Sequence, residues 1–357
     1  MNLYENLIKD LENNENKLVI TRLKGSTGNL DKDFERIVVN PKDSMINSMV
    51  QNNMAEPHIK EAVQEVLRTG KPKTVRGNEG RLTIIEPFYP KERLIILGGG
   101  HIALPLTEFG ARAGFSVTVA DDRPSFANKA RFPLAERVIC ESFDKVLEQL
   151  KLTAYDYIVI ITRGHRYDTE CLRHILSRTE TIYAGMIGSK RRVAAVKALL
   201  KEEGFDKERI DRVCTPIGLS IGAVTPEEIS ISIMAQIIRR KRLDQNENYA
   251  GNRSDLDIKV LELLAASKEE PMSIVTIIDT KGSVPRGPGA KMIVYPAGQI
   301  AGSIGGGCSE AEVIHDAVKI IGTKSFMLRT IDMTGDAAEA EGMVCGGIME
   351  VLIEDKV

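Results

Sequence analysis

The sequence predicts an α/β protein in which a doubly wound parallel sheet is flanked by a smaller mixed α+β domain and by a degenerate copy of that domain. Three observations predict it. Short β-branched runs alternate with helix-length segments between Arg93 and Leu243, the first run opens into a glycine turn, and the segments before and after this centre repeat one order of motifs.

The central strands are read at Leu94 to Leu97, Val117 to Ala120, Val138 to Cys140, Tyr157 to Ile161 and Ile182 to Gly185. Runs this short and this rich in valine and isoleucine belong to strands covered on both faces. The first leads into Gly98-Gly99-Gly100-His101-Ile102-Ala103, a G-x-G-x-x-A fingerprint entering a helical stretch to Ala113, and the second ends at Asp121. Strand, glycine turn, helix, strand and terminal acid make residues 91–243 a Rossmann-like nucleotide- or cofactor-binding domain. In Thr225-Pro226-Glu227-Glu228 a cap, a first-turn proline and a capping-box acid announce a helix to about Arg240. The polar residues 244–256 read as a linker.

Residues 1–90 and 257–357 carry the repeat. Lys24-Gly25-Ser26, Arg36-Ile37-Val38-Val39-Asn40-Pro41, Ala62-Val63 and Ile84-Ile85-Glu86 recur in order as Lys281-Gly282-Ser283, Lys291-Met292-Ile293-Val294-Tyr295-Pro296, Ala317-Val318 and Leu352-Ile353-Glu354. The N-terminal copy lacks two motifs of the C-terminal one, Gly302-Ser303-Ile304-Gly305-Gly306-Gly307-Cys308-Ser309-Glu310 and Gly342-Met343-Val344-Cys345-Gly346-Gly347. Glycine admits positive φ and close approach, so a thiol in such a frame stands among exposed N–H donors. Cys308 and Cys345 are therefore expected to be reactive or ligand-contacting, with Gly305, Gly306, Gly307, Glu310 and Gly346 lining the same site. The two loops are expected to face each other across a cleft opening toward the central crevice, of the same subunit or of a dimer mate. A helix N-terminus, or nearby Arg286 and Lys291, is expected to lower the thiol pKa, and Cys140, near a strand, to be inert by comparison. The alternative is that both cysteines are small apolar residues in closed turns.

In a sheet of order 3-2-1-4-5 the loops after strands one and four flank the ligand crevice. Gly98 and Gly100 would bring N–H groups and a helix start against a phosphate, while Asp121 would accept from a ribose hydroxyl. His101, Arg163, His165 and Asp168 are expected to converge there, with Ser189 at the entry to the next helix. His101, His165 and Asp168 are the metal candidates, but the arginines beside them favour an anion.

Composition narrows the classes. The chain has 357 residues, 43% apolar and 27% charged, and a formal charge of −2, which offers no basic field for nucleic acid. No uninterrupted apolar run of about 18 residues is present to span a bilayer. Met1 to Asn16 is charged and lacks a signal-peptide core, so a cytoplasmic location is expected. Five cysteines at irregular spacing, none in a CxxC pair, read as reduced thiols.

Taken together the motifs resemble a known family. Gly282-Ser283-Val284-Pro285-Arg286, Gly289-Ala290-Lys291-Met292 and the two cysteine motifs look like the characteristic domain of the XdhC/CoxI family, the xanthine dehydrogenase accessory proteins. Its Rossmann domain is resembled by GGGHIALPL, the DDRP of Asp121 to Pro124, the RFP of Arg131 to Pro133, GHRYD, IGSKRR and PIGLSIGAVTPEEIS. The resemblance covers residues 91–357, with the family's usual domain order reversed and a degenerate copy added in front.

This resemblance implies a chaperone for molybdenum hydroxylases, a maturation factor more than a catalyst. It would bind the molybdenum cofactor, as the molybdopterin mononucleotide or dinucleotide, and assist its insertion into a xanthine dehydrogenase-type apo-enzyme. The apo-enzyme is the implied partner and a cysteine desulfurase a second one; a homodimer is expected, and neither nucleic acid nor membrane. Two other classes fit the residues. One is an NAD(P)-dependent oxidoreductase, permitted by the fingerprint and Asp121, and the other is a nucleotidyl or sulfur transferase acting on the cofactor, with Cys308 or Cys345 as nucleophile.

Overall fold

The computed structural model describes residues 2–41, 57–178, 181–243, 253–267, 270–306, 308–334 and 346–356, and of Pro57, His165, Cys308 and Ser309 the backbone alone. The chain forms two compact units: residues 91–244 make one, and residues 1–90 join 245–357 in the other.

The N-terminal segment opens with α1 (Leu3–Glu12), capped by the Asn2 side chain, which accepts from the N–H groups of Tyr4 and Glu5. Strands β1 (Lys17–Lys24), β2 (Thr27–Asn29) and β3 (Phe34–Val39) follow, then α2 (Pro57–Thr69), β4 (Lys73–Arg76) and β5 (Arg81–Phe88). Four of these strands form an antiparallel sheet of order β3-β1-β5-β4.

The central unit contains β6 (Arg93–Leu97), α3 (Ala103–Arg112), β7 (Ser116–Asp121), β8 (Arg137–Cys140), α4 (Phe143–Gln149), β9 (Asp156–Ile160), α5 (His165–Arg178), β10 (Tyr183–Met186), α6 (Lys190–Glu202), α7 (Lys207–Arg212) and α8 (Pro226–Arg242). Its ladders are all parallel, in the order β10-β9-β6-β7-β8, which is the 3-2-1-4-5 arrangement of a doubly wound sheet. Every residue of β9 is buried, as a central strand with helices on both faces must be. On one face Ile95, Leu97, Ile158 and Ile160 pack with Phe143 and Leu147 of α4, Leu172 of α5 and Val196 of α6. The capping box at Thr225 and Glu228 is formed, and Pro226 opens α8.

The C-terminal segment adds α9 (Ile258–Ala266), β11 (Ser273–Lys281), β12 (Lys291–Val294), β13 (Ile300–Gly302), α10 (Cys308–Ile320), β14 (Ser325–Asp332) and β15 (Ile348–Asp355). Its sheet runs β13-β12-β11-β15-β14-β2, so β2 of the N-terminal segment closes its far edge on β14. The inner four strands, β12-β11-β15-β14, repeat the order β3-β1-β5-β4. Register repeats as well: Thr21 stands opposite Arg36 and Ile84, and Thr276 opposite Lys291 and Leu352.

Residues 1–90 and 257–357 are thus two halves of one body rather than two separate flanking domains. The reason is burial, because Leu23, Leu82 and Ile84 from one sheet share an apolar cluster with Ile278, Phe326 and Leu352 from the other. Ion pairs cross between the halves, and two of them occupy matching places in the repeat. Lys291 Nζ donates to Glu86 Oε1 at 2.7 Å and to Thr276 Oγ1 at 2.9 Å. Arg36 donates to both carboxylate oxygens of Glu354, at 3.0 and 2.6 Å, and to Thr21 Oγ1 at 2.9 Å. Each base is bound by the acid of the other copy, at matching places in the repeat. Among the described residues no helix is long and apolar enough to cross a membrane.

Candidate functional site

At the end of β6 the chain turns through Gly98, whose φ of +118° only glycine adopts without strain. A β-carbon on Gly98 would stand 2.4 Å from the carbonyl oxygen of Ile161, so the glycine turn lies directly against the loop that follows β9. Gly99 is equally confined, its β-carbon position falling 2.3 Å from the Phe126 carbonyl oxygen. Gly100 differs, with no atom within 4 Å of that position. Space for a ligand therefore opens at Gly100, just before the N-terminus of α3, where no side chain caps the backbone N–H groups.

Asp121 does not present a free carboxylate beside this turn. It is buried and accepts from the Gly99 N–H at 2.9 Å, from the Arg123 N–H at 3.1 Å, and from Arg123 Nε and Nη2 at 2.8 and 3.0 Å. Burial pushes its carboxyl up, but the hydrogen bonds from Arg123 and Gly99 outweigh burial and hold the pKa below the ordinary value. Asp121 pins the turn, and a ribose hydroxyl would have to compete with Arg123 for it.

The loop after β9 is similarly committed. Arg163 forks onto both oxygens of Asp122 and donates to the Tyr167 hydroxyl at 2.7 Å. Asp168, fully buried, accepts from Thr162 Oγ1 at 2.5 Å and from Arg192. Arg192 lies in the first turn of α6, where Ser189 is the N-cap and accepts from the Arg192 N–H. Strand order puts His101, exposed just before α3, and Asp168, buried in the first turn of α5, at the C-terminal ends of adjacent strands. The His165 side chain lies outside the described residues, so the three metal candidates are not all placed. The described residues hold no group of three or more His, Cys, Asp or Glu suited to a metal ion.

Arg131 is a candidate site residue that sequence reasoning missed, since it stood out there only as part of the RFP motif. Arg131 Nε donates to the Gly99 carbonyl at 3.3 Å, and its Nη2 is buried without a hydrogen-bond partner. An orphaned guanidinium nitrogen beside an open glycine turn is what a phosphate group would satisfy. The available signal was the run Arg123, Arg131 directly after the strand-terminal acid.

In the composite unit the glycine-rich loop carries its own anion. Glu310 Oε1 accepts from the N–H groups of Ile304, Gly305 and Gly306 at 2.9, 3.1 and 2.8 Å, and from Ser303 Oγ at 2.6 Å. Burial raises the carboxyl's pKa, yet these four donors more than offset it and leave it below the ordinary value. As they stand, Gly305 and Gly306 serve Glu310, and an anionic ligand would have to displace it. Gly305 and Gly306 have φ of +140° and +78°, which favour glycine, and their N–H groups converge with that of Ile304 on one carboxylate oxygen.

The segment Gly282 to Pro285 touches both glycine frames. A β-carbon on Gly305 would meet Pro285 Cγ at 2.4 Å, and one on Gly347 would meet the Ser283 carbonyl oxygen at 2.4 Å. Gly346 is exposed, with open space beside it. Gly307, Cys345 and the Cys308 thiol lie outside the described residues; the Cys308 backbone begins α10.

Lys291 and Arg286, expected to act on the thiols, are each held by an acid. Lys291 is bound by Glu86 and Thr276, and Arg286 donates to Asp255 Oδ2 and to the Asp255 carbonyl, both at 2.8 Å. Charges neutralised at such short range lend little field to a thiol. Cys140 is exposed at the end of β8 rather than sheltered by it, whereas Cys171 is buried and its thiol pKa is pushed up, first by burial and then by Asp168.

Residues 94–237 match the XdhC Rossmann domain and residues 265–332 the XdhC and CoxI family, together more than half of the chain. The chain belongs to the XdhC and CoxI family. This XdhC/CoxI chain is 34% identical over 160 residues to a Bacillus subtilis (strain 168) protein named as a probable xanthine dehydrogenase subunit, covering 44% of this chain and 46% of the relative. It is 26% identical over 256 residues to the uncharacterized protein YqeB of Escherichia coli (strain K12), covering 68% of this chain and 46% of that protein. It thus spans about half the length of the curated relatives it matches. A crystal structure of a xanthine dehydrogenase from Bacillus halodurans is 21% identical, over 66% of this chain and 93% of that one, with a TM-score of 0.40. That likeness is too distant to carry residue roles across.

Proposed function

We propose that this XdhC/CoxI chain is an accessory protein that binds the molybdenum cofactor through its phosphate and assists its insertion into a xanthine dehydrogenase-type apo-enzyme. One observation carries the reading: the buried, unpartnered Nη2 of Arg131 beside the open turn at Gly100. The Gly100 N–H and the first N–H groups of α3 would share the phosphate with Arg131. The cofactor itself, when held there, supplies the molybdenum and dithiolene chemistry to the client enzyme. Family membership and the name of the Bacillus subtilis relative support a hydroxylase of this kind as the client. A cytoplasmic setting and a cysteine desulfurase as second partner belong to the same proposal.

The dehydrogenase alternative is weaker on the residues, because Asp121 is occupied by Arg123 and Gly99. A transferase acting on the cofactor is not favoured by any described contact. The experiment is anaerobic purification from a molybdate-fed host, followed by metal analysis and mass spectrometry of the bound small molecule. Molybdenum and a molybdopterin species, both lost in Arg131→Ala, are the expected result; a nicotinamide nucleotide in their place would overturn the reading.

A further inference from the structure

We infer that α8 is the two-fold interface through which this chain pairs with a second copy of itself. The inference rests on the outer face of α8 and is independent of the cofactor reading. Ten large apolar side chains are exposed among the described residues, and five of them, Ile221, Val224, Ile231, Ile238 and Leu243, fall within residues 221–243. Val224, Ile231 and Ile238 recur every seven residues, so they form one seam along the helix and its entry. Their exposures are 80%, 50% and 45%, while Ser230, Ile233, Met234 and Ile237 on the other side are buried. This helix has two apolar faces, and among the described residues of its own unit only one has a partner.

Charge identifies the occupant. Glu227 and Glu228 lie in the first turn of α8, and Arg239, Arg240, Lys241 and Arg242 in the last. Glu227, Ile231, Ala235, Ile238 and Arg242 follow one another at helical spacing along the exposed stripe. Placed antiparallel on a second copy about an axis near Ala235, Glu227 of each chain meets Arg242 of the other and Ile231 meets Ile238. The small Ala235 at the crossing lets the two backbones approach. A parallel pairing would instead set four acids together at one end and eight bases at the other. An isologous antiparallel contact is therefore the arrangement this surface complements, and the opposed helix dipoles add to it.

The test uses the whole chain. Sedimentation equilibrium should show a reversible dimer whose dissociation constant rises by more than about tenfold in Ile238→Glu. Glu227→Arg alone and Arg242→Glu alone should each weaken it, and the double reversal should restore it, with circular dichroism and melting temperature unchanged throughout. In a Cys140→Ser background, Ala235→Cys should form an intermolecular disulfide on mild oxidation. A wild-type chain that stays monomeric up to high micromolar concentration would overturn the inference, since the seam would then be covered by its own chain or by a foreign partner. So would a dimer indifferent to all of these substitutions.

Discussion

Lys291 Nζ stands 2.7 Å from Glu86 Oε1 within the composite unit, with side-chain exposures of only 3% and 8%. Truncating one partner strands the other charge in a dry site. Lys291→Met or Glu86→Leu should each cost about 3–5 kcal/mol, and the double substitution should recover much of that loss. Urea denaturation followed on the composite unit measures it. Additive costs in the double variant would show that the two side chains are not coupled.

Glu310 should control the order of the glycine-rich loop. In Glu310→Ala the amides of Ile304, Gly305 and Gly306 lose a charged acceptor worth about 1.5–3 kcal/mol, so their hydrogen exchange should accelerate on the order of tenfold or more. The pH dependence has a definite sign. A carboxyl whose folded pKa lies below its ordinary value of 4.5 contributes fully above that value and loses its contribution as pH falls through the lower, folded pKa. Protection of the three amides should therefore be flat from neutral pH down to 4.5 and decline only in stronger acid.

The three glycines of the central turn should separate by substitution. Gly98→Ala and Gly99→Ala force a β-carbon to within 2.4 and 2.3 Å of backbone oxygens and should cost about 3 kcal/mol each. The β-carbon of Gly100→Val has no atom within 4 Å, so the substitution should leave stability within about 1 kcal/mol while abolishing ligand binding. Thermal melting and calorimetric titration together separate the two outcomes. Undiminished affinity in Gly100→Val would move the ligand away from this turn.

Thiol accessibility gives a further check. Cys140 is exposed and should label with iodoacetamide in the native chain, whereas Cys171, buried and with a raised pKa, should label only after unfolding. Mass spectrometry of timed samples reads both. Rapid labelling of Cys171 would contradict its place in the core between the central sheet and its helices.

Much of the architecture was legible before any coordinates. Five apolar runs, a glycine fingerprint and the Thr225 to Glu228 capping box depend on neighbours within a few residues, and strand periodicity with turn chemistry is local information. The repeat of Arg36 and Glu86 as Lys291 and Glu354 was likewise visible as spacing. What spacing could not say is that the acids and bases bind crosswise between the two copies, or that β2 joins the other half's sheet. Nor could it tell which donors are already taken: Glu310 binds the amides of the glycine-rich loop, Arg123 occupies Asp121, Asp122 holds Arg163, and Arg131 alone among them ends in a buried nitrogen without a partner. A residue's type and position are written in the chain, but hydrogen-bond partners are chosen by side-chain direction among elements brought together across hundreds of residues, and only the packed tertiary structure sets that direction.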